Sequence, residues 1–235
     1  MFTASAELYD TIYSSFKDYG AEADRIVALL RTEHPACRRL LDVGCGTGEH
    51  ARLLTAHGFQ VDGLDLDPSF VGLAAQKNPL SRFHVADMCS FALSGRYDAV
   101  LSLFSSIGYA KSIEGVVRAL ICSREHLAPG GIVVVEPWLT PDSVRPGHTT
   151  PLTVDRPPLR VVRTSRLDVM GTMSRVTFEY EVTRPEGVTH ATEHHELGLF
   201  TVDEMIGAFA AAGLSVSYDP AGLTGRGLYL GRAAA

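Results

Sequence analysis

The sequence predicts a doubly wound α/β fold, and three observations support this prediction. An apolar strand at residues 40–43 runs directly into three glycines at alternate positions, Gly44, Gly46 and Gly48, and a helical pattern follows at once. Helical and apolar extended segments then alternate as far as Glu136, as repeated βαβ units do. The first and fifth strands are nearly continuous apolar runs, which is typical of a parallel sheet covered by helices on both faces.

The elements of this core alternate regularly. Their expected bounds are a helix at 21–31, strand one at 39–44, a helix at 48–57, strand two at 60–65, a helix at 68–77, strand three at 82–86, strand four at 97–103, a helix at 112–127 and strand five at 132–136. Asp67 before Pro68 fits an N-cap followed by proline in the first helical turn. Pro129 with the glycines after it is expected to stop the long helix and to turn the chain into strand five.

The pattern changes after the fifth strand. From Leu152 to about Phe200 apolar and polar residues alternate with a period of two, which indicates antiparallel strands with one solvated face. A helix opening at Thr201 and ending at Gly213, then strands at about 214–218 and 227–232, complete the first sheet. We therefore expect a core of residues 1–138 and 199–235. Residues 139–198 are expected to form an antiparallel β insertion that contributes to the acceptor site.

Composition narrows the classes of function. The net charge of −6 and the isoelectric point near 5.8 argue against a nucleic-acid partner, which requires basic surfaces. No apolar run approaches the ~18 residues of a membrane span, and the N-terminus lacks the pattern of a signal peptide. The four cysteines have no Cys-x-x-Cys pairing, so we expect neither a metal nor a disulfide framework, and the cytoplasm is the expected location.

The glycine spacing separates two classes of cofactor. Dinucleotide sites prefer G-x-G-x-x-G, with the pyrophosphate at the helix N-terminus, whereas Gly44, Gly46 and Gly48 form the tighter G-x-G-x-G after the acidic Asp42. This variant resembles motif I of the class I methyltransferases, which use S-adenosylmethionine (SAM) and have a seven-stranded Rossmann-like fold. The resemblance implies that the loop passes under the methionyl part of SAM. A plain glycine turn of another α/β protein is the alternative.

Acidic residues at later strand ends favour SAM as the cofactor. Asp65 ends the second strand about 20 residues after the glycine turn, where a carboxylate can accept hydrogen bonds from both ribose hydroxyls. Asp87 follows the third strand, and the resemblance implies that an acid there meets the adenine amino group while Met88 covers the ring. Leu66 and Leu103 are further expected cofactor contacts. Each acid alone also fits a helix cap or a solvated loop, but their order along the chain supports the cofactor role.

Three later segments distinguish between acceptors. The fourth strand is followed by Phe104-Ser105-Ser106-Ile107-Gly108-Tyr109, not by the Asp/Asn-Pro-Pro-Tyr/Phe turn of enzymes that methylate bases or glutamine. Glu136-Pro137-Trp138 follows the fifth strand, and Gly225-Arg226-Gly227 precedes the last. The missing turn and the acidic charge disfavour methylation of DNA or RNA bases.

With these segments the chain resembles, over nearly its whole length, the N,N-dimethyltransferases that act on dTDP-amino-dideoxyhexoses in macrolide-antibiotic biosynthesis, the enzymes of desosamine- and mycaminose-type sugars. The resemblance implies in-line transfer of the SAM methyl group to a sugar amine, twice, on a dTDP-linked substrate. Three departures stand out. Gly44 lies where relatives often have alanine, Leu139-Thr140 replaces a second aromatic pair, and Arg166 lies where histidine is common, so the accepted sugar stays open.

The resemblance also assigns roles to single residues. Tyr9 and Tyr19 are expected at the carboxylate end and sulfonium region of SAM, and Arg226 at the diphosphate of the acceptor, since guanidinium binds phosphate bidentately. Tyr109 and Ser106 are the expected catalytic residues, with Tyr109 either relaying the amine proton or serving only as a packing wall. The expected acceptor contacts are Pro137, Trp138, Arg166, His195 and Arg226. The arginines at 156, 160, 163 and 166 are interpreted as a mostly solvated rim.

Two other functions stay open at this stage. One is a SAM-dependent N- or O-methyltransferase of another small molecule or peptide, and the other is a SAM-binding protein without activity. The intact order of the glycine loop, Asp65, Asp87 and the segment 104–109 disfavours the second. The oligomeric state is open, with a homodimer among the alternatives.

Overall fold

The computed structural model describes residues 6–233, apart from the side chain of Glu7. The helices are α1 (Ala6–Tyr13), α2 (Tyr19–Glu33), α3 (Glu49–Ala56), α4 (Pro68–Lys77), α5 (Ile113–Glu125) and α6 (Val202–Ala211), with a 3₁₀ turn at Ser106–Ala110. The strands are β1 (Arg39–Val43), β2 (Gln60–Asp65), β3 (Phe83–Val85), β4 (Tyr97–Ser102), β5 (Leu127–Val135), β6 (Thr149–Arg156), β7 (Leu159–Met170), β8 (Met173–Arg184), β9 (Gly187–Gly198), β10 (Leu214–Asp219) and β11 (Leu228–Ala233).

Seven strands form one mixed sheet in the order β10-β11-β5-β4-β1-β2-β3. Strands β1 to β5 pair in parallel, whereas β11 runs antiparallel to both β5 and β10. The predicted doubly wound α/β fold is therefore confirmed. The chain reverses its direction of growth between β1 and β4, and the carboxyl ends of these strands form the crevice where open α/β sheets bind ligands.

The other four strands form a separate antiparallel sheet in the order β6-β7-β8-β9. Its inner face packs against α1, since Leu8, Ile12 and Tyr13 of the helix share an apolar cluster with residues of the sheet such as Phe178 and Leu197. Period-two alternation thus correctly predicts antiparallel strands here. The sheet places one face of β7, β8 and β9 beside the crevice.

Several element bounds differ from the sequence prediction. Helix α1 has no counterpart in the prediction, and α2 begins at Tyr19 because the side chain of Asp18 caps it, accepting the Ala21 N–H at 2.9 Å. Strand β5 begins at Leu127, not at 132, because the expected turn is an irregularity within the pairing with β4: Leu127 lies opposite Tyr97 and Ile132 opposite Ala99. An interrupted strand, not a free loop, therefore joins α5 to the sheet.

The helix caps follow the sequence. The Asp67 side chain accepts the Ser69 N–H at 2.8 Å, and Thr201 with Glu204 forms a reciprocal capping box at the start of α6. Within residues 6–233 no helix has both the length and the apolarity to cross a membrane. In the same part of the chain no group of three His, Cys, Asp or Glu side chains is arranged to hold a metal ion.

Candidate active site

The glycine turn lies at the carboxyl end of β1 with all three glycines at positive φ: +75° at Gly44, +53° at Gly46 and +74° at Gly48. A Cβ added at Gly48 would lie 2.8 Å from the amide nitrogen of Asn78 and 2.9 Å from the Cβ of Ala74, so this glycine lets the turn close on α4. A Cβ added at Gly46 would meet no described atom within 4 Å. The backbone at Gly46 therefore faces open space, as the cradle of a ligand must.

Asp65 links the tip of β2 to this turn. Its Oδ2 accepts the Gly46 N–H and its Oδ1 accepts the Asp67 N–H, each at 2.9 Å. Burial raises the pKa of Asp65, and the bonds from the backbone amides oppose that rise. Leu66 beside it is 56 % exposed. A carboxylate and an uncovered apolar side chain at one strand tip fit a ribose and an adenine ring, so these residues suit SAM.

The tyrosines of the N-terminal helices lie beside the same turn. The Tyr9 ring lies 4.3 Å from that of Tyr13 and 5.0 Å from that of Phe70. Burial raises the pKa of Tyr9, and Tyr13, Tyr19, Tyr109 and Asp65 add to the rise through their charges. The structure therefore brings Tyr19, Asp65 and Tyr109 within electrostatic range of Tyr9.

The segment after β4 has an uncommon backbone that one buried acid holds in place. Phe104 and Ser105 have φ of +48° and +68°, a region that L-residues other than glycine seldom adopt. Glu136 is fully buried at the end of β5, where its Oε2 accepts the Phe104 N–H at 2.7 Å and its Oε1 accepts the Thr224 hydroxyl at 2.6 Å. Ser105 donates to the Pro137 carbonyl at 2.9 Å. These bonds join the two loops that border the crevice.

The Ser106 hydroxyl donates its hydrogen bond to backbone carbonyl oxygens. Its hydroxyl lies 2.8 Å from the Leu103 carbonyl oxygen and 3.1 Å from that of Gly44, and donates to this pair. Leu103 is 2 % exposed, so its side chain belongs to the core beneath the crevice. Through these contacts Ser106 connects the segment after β4 to the glycine turn.

Tyr109 and His195 meet across the two sheets. The Tyr109 hydroxyl lies 3.0 Å from His195 Nδ1, and His195 Nε2 lies 3.7 Å from Oε2 of Glu193. Burial raises the pKa of Tyr109, so its phenol stays protonated near neutral pH. The side chain is still 39 % exposed, which leaves its ring open to the crevice. Tyr109 can therefore orient a nitrogen, and His195 fixes the direction of its hydroxyl.

Arg226 lies between two aromatic rings at the mouth of the crevice. Its guanidinium carbon is 5.3 Å from the centre of the Phe104 ring and 5.6 Å from that of Trp138. Its Nη1 donates to the Ser105 hydroxyl at 2.9 Å. Trp138 is fixed in turn by a 2.8 Å hydrogen bond from its indole to Ser174 of β8. Both sheets thus support the arginine that the sequence assigns to the acceptor.

A cavity of about 320 Å³ opens beside Arg226. Its lining residues are Phe16, Lys17, Asp18, Ala21, Glu22, Arg25, Phe104, Leu223, Thr224 and Arg226. The Lys17 ammonium lies 4.0 Å above the Phe104 ring and pairs with Glu22. Burial lowers the pKa of Lys17 while Glu22 raises it. The three cations of the lining outnumber its two acids, Asp18 and Glu22, so this cavity suits an anionic group. Neither Lys17 nor Arg25 is among the site residues predicted from the sequence.

One of the expected site residues, Arg166, lies apart from this arrangement. Arg166 is on the outer face of β7, where its side chain is 62 % exposed and its Nη2 lies 3.2 Å from Oδ1 of Asp168. Asp87 is exposed and its Oδ1 accepts the Cys89 N–H at 2.8 Å, whereas Met88 packs against the main apolar core. The structure therefore does not bring Arg166 to the crevice.

The interpretation of the insertion arginines as a solvated rim is wrong for Arg163. This residue is 8 % exposed, and its guanidinium carbon lies 5.4 Å from the Tyr13 ring and 4.7 Å from that of Phe178. Period-two alternation from Val161 places Arg163 on the same buried face of β7. That signal was present in the sequence, whereas the contact with Tyr13 needed the unpredicted α1.

Asp42, before the glycine turn, makes fold stability depend on pH. Burial raises the pKa of Asp42 to about 6, and its Oδ2 has no hydrogen-bond partner among residues 6–233. An unfolded aspartate has a pKa near ~3.9, so the folded state binds the extra proton and gains stability as the pH falls from about 7 to about 4. Near pH 7.5 we expect Asp42→Asn to be more stable than the wild type by up to ~3 kcal/mol.

Urea unfolding at pH 7.5 and pH 5 measures this difference. The advantage of Asp42→Asn over the wild type should shrink toward pH 5, where the wild-type carboxyl takes up its proton. A difference that stays constant between the two pH values would contradict the assignment to Asp42.

Comparison with known proteins agrees with this geometry. A family model described as a methyltransferase domain matches residues 15–217. The chain is also similar to the SAM-bound structure of CalS10, an amino pentose methyltransferase from Micromonospora echinaspora, at 34 % identity and a TM-score of 0.88, over 97 % of each chain. The fold and the site therefore define a SAM-dependent methyltransferase.

Two further relatives narrow the class. The dTDP-3-amino-3,6-dideoxy-alpha-D-glucopyranose N,N-dimethyltransferase of Streptomyces fradiae is 40 % identical over 96 % of this chain and 89 % of its own length. The crystal structure of Streptomyces venezuelae DesVI matches with a TM-score of 0.93 at 39 % identity, over 97 % of this chain and 98 % of the other. The chain belongs to the family of dTDP-amino-sugar N,N-dimethyltransferases.

Proposed function

We propose that this enzyme methylates the amine of a dTDP-linked amino-dideoxy sugar twice, as a step in the formation of an antibiotic sugar. The observation that carries the proposal is the cavity lined by Lys17, Arg25 and Arg226, which lies between the start of α2, Phe104 and the loop before β11. A diphosphate held there leaves the attached sugar to extend along the Phe104–Tyr109 segment. Guanidinium and ammonium groups are the protein's usual partners for phosphate oxygens.

The residues around the glycine turn hold the methyl donor in this proposal. Tyr9 and Tyr19 lie at its amino-acid end, Asp65 binds the ribose, and Leu66 covers the adenine from the exposed side. Asp87 and Met88 follow β3 at the adenine edge. Bound SAM would supply a methyl group from its sulfonium sulfur. When the methyl group is transferred, the rest of SAM leaves as a neutral thioether.

The protein mainly positions the acceptor, since the sulfonium needs little further activation. Holding two reacting groups in line contributes on the order of 7–11 kcal/mol to lowering a barrier. The rigid support of Phe104 and Ser105 by Glu136 and Pro137 fixes the segment on which Tyr109 stands. The protonated Tyr109 hydroxyl then orients the amine, and the amine releases its proton to water.

We expect Asp65→Ala to weaken SAM binding by about 1.5–3 kcal/mol, the usual loss for hydrogen bonds to a charged group. The variant also removes the acceptor of the Gly46 N–H, which loosens the turn. Calorimetric titration with SAM measures the effect, and Asp24→Ala on the exposed side of α2 is the control. Unchanged SAM affinity, or a preference for a nicotinamide dinucleotide, would refute the assignment of this site.

We expect Tyr109→Phe to lower kcat only about two- to tenfold, the size of one neutral hydrogen bond. The ring stays, and only the hydroxyl that bonds His195 is lost. Single-turnover rates at saturating substrates measure the effect, with Tyr97→Phe as the control, since Tyr97 begins β4 at the end opposite the crevice and its hydroxyl donates to Asp62. A loss above about 100-fold with folding intact would show that Tyr109 acts as a general base.

Incubation with SAM and a panel of dTDP-3-amino and dTDP-4-amino sugars tests the function itself. Mass spectrometry should detect a product that carries two additional methyl groups on at least one member of the panel. Methylation of peptides or phenols in the absence of any reaction with the panel would instead support a different small acceptor. The panel also determines the position of the amine.

A further inference from the structure

Glu193 is a buried carboxylate to which the proposed function gives no role. It lies on β9 and is 5 % exposed, and its Oε2 accepts the Tyr180 hydroxyl at 3.3 Å. The same oxygen lies 3.7 Å from Nε2 of His195, which is two residues further along the strand and therefore on the same face. A buried carboxylate is costly unless polar groups face it, and here the Tyr180 hydroxyl and the His195 ring do so.

The His195 ring connects Glu193 to Tyr109. Its two nitrogens face different partners, since Nε2 faces the Glu193 carboxylate and Nδ1 lies 3.0 Å from the Tyr109 hydroxyl. His195 is 2 % exposed, and its ring packs against that of Phe178 at 5.3 Å between the ring centres. Solvent therefore has little access to either nitrogen, and the protein side chains determine where the ring carries its proton.

The carboxylate favours a proton on Nε2 of the neutral ring. A proton there is attracted by Glu193, whereas a lone pair on Nε2 would face the negative oxygen in a buried setting, where charges interact strongly. Nδ1 then has the lone pair and accepts the Tyr109 O–H. The Tyr109 side chain is partly exposed. With its proton engaged by His195, its oxygen meets a ligand as a hydrogen-bond acceptor.

We propose that Glu193 is a positioning residue for methyl transfer, which acts through His195 to present the Tyr109 oxygen as the acceptor for an N–H of the bound amine. The inference rests on the proposed function. A Tyr109 hydroxyl that donated would engage the nitrogen lone pair, which must form the new N–C bond as the C–S bond breaks. An accepting Tyr109 leaves this lone pair free, and the nitrogen releases its proton to water only after it has become an ammonium. Primary and secondary amines both have an N–H, so one contact serves both methylations.

Nitrogen NMR of the protein labelled at its histidines tests this arrangement without any substrate. Long-range ¹H–¹⁵N spectra distinguish a protonated ring nitrogen from an unprotonated one, and the His195→Gln variant identifies the signals of His195 by their loss. We expect the wild type at neutral pH to carry the proton on Nε2 and none on Nδ1. A proton on Nδ1, or on both nitrogens, would overturn the proposal and leave the proposed function standing.

A double-mutant cycle tests whether Glu193 acts through the Tyr109 hydroxyl. Glu193→Met keeps the length of the side chain and removes the acceptor, and it should lower the single-turnover rate with the dTDP-amino sugar about two- to tenfold. In the Tyr109→Phe background the same change should alter the rate by less than about twofold, because the hydroxyl that Glu193 positions is already gone. Glu186→Met in the exposed turn between β8 and β9 is the control for loss of a carboxylate.

Glu193→Gln is the conservative variant, and it covers the case in which Glu193→Met does not fold. Its amide oxygen can accept from both His195 and Tyr180, so it should recover most of the rate that Glu193→Met loses. A loss above about 100-fold in the glutamine variant would overturn the proposal, by showing that the charge of Glu193 drives proton transfer.

Equal losses from Glu193→Met in the wild-type and Tyr109→Phe backgrounds would also overturn the proposal, by leaving Glu193 a structural role only. Failure of the wild type to methylate any dTDP-amino sugar of the panel, with SAM bound and Nε2 protonated as expected, would refute the proposed function and the positioning role with it. The NMR result thus separates the two failures.

Discussion

Replacing Glu136 with alanine is expected to lower the free energy of unfolding by about 4 kcal/mol and kcat/KM by about 100-fold or more. Two part-buried donors, the Phe104 N–H and the Thr224 hydroxyl, lose their acceptor together, and a donor left unsatisfied in the interior costs about 1–3 kcal/mol. We expect kcat/KM to fall by more than the loss of folded protein alone would cause. Phe104 holds a positive φ that relaxes once its bond is lost, and the segment carrying Tyr109 moves with it.

Glu136→Gln is the matched control. A glutamine can accept the Phe104 N–H through its oxygen and donate to the Thr224 hydroxyl through its nitrogen, so both loops stay joined. We expect the melting temperature to fall by roughly 10 °C in the alanine variant and by much less in the glutamine variant. Similar melting temperatures and rates for the alanine variant and the wild type would show that Glu136 does not hold these loops.

Arg226→Ala is expected to raise the KM for the nucleotide sugar about 10- to 100-fold, the effect of losing a charged hydrogen bond. Arg226 is fixed by Ser105 and by the Phe104 and Trp138 rings, so it meets the ligand with little further ordering. SAM affinity should stay within about twofold of the wild type, because the Arg226 side chain contacts Ser105, Phe104 and Trp138 and no residue of the glycine turn among residues 6–233.

Steady-state kinetics with varied nucleotide sugar, together with calorimetry for SAM, separates the two affinities. Arg160→Ala, on the solvent side of β7, is the control for loss of positive charge. An unchanged KM for the nucleotide sugar would remove Arg226 from the acceptor site, and a parallel loss of SAM binding would show a general disturbance of the crevice.

The sequence predicts the parts of the fold that local chemistry determines. Continuous apolar strands and glycines that must take positive φ predict the parallel sheet and its ligand edge, and period-two alternation predicts the second sheet. Asp67 and Thr201 act as the caps that their types and positions suggest. The order of Asp65 and Asp87 after the glycine turn can likewise be read from the sequence alone.

The remaining features depend on contacts between distant segments. Helix α1 is short, and its stability comes from packing on the second sheet, not from its own propensity. Glu136 and Phe104 become partners only when β5 lies beside β4. Arg163 and Arg166 belong to one series of arginines in the sequence, but they lie on opposite faces of β7. Arg166 is therefore exposed to solvent, whereas Arg163 is buried.

The most direct test of the central claim compares one amino sugar in two forms, linked to dTDP and free of the nucleotide. The cationic cavity at Lys17, Arg25 and Arg226 predicts that kcat/KM with the dTDP-linked sugar exceeds that with the free sugar by about 100-fold or more, since at least two charged contacts are lost together. Mass spectrometry of the product should show two methyl groups added to the linked sugar. Equal methylation of the free sugar would contradict the account.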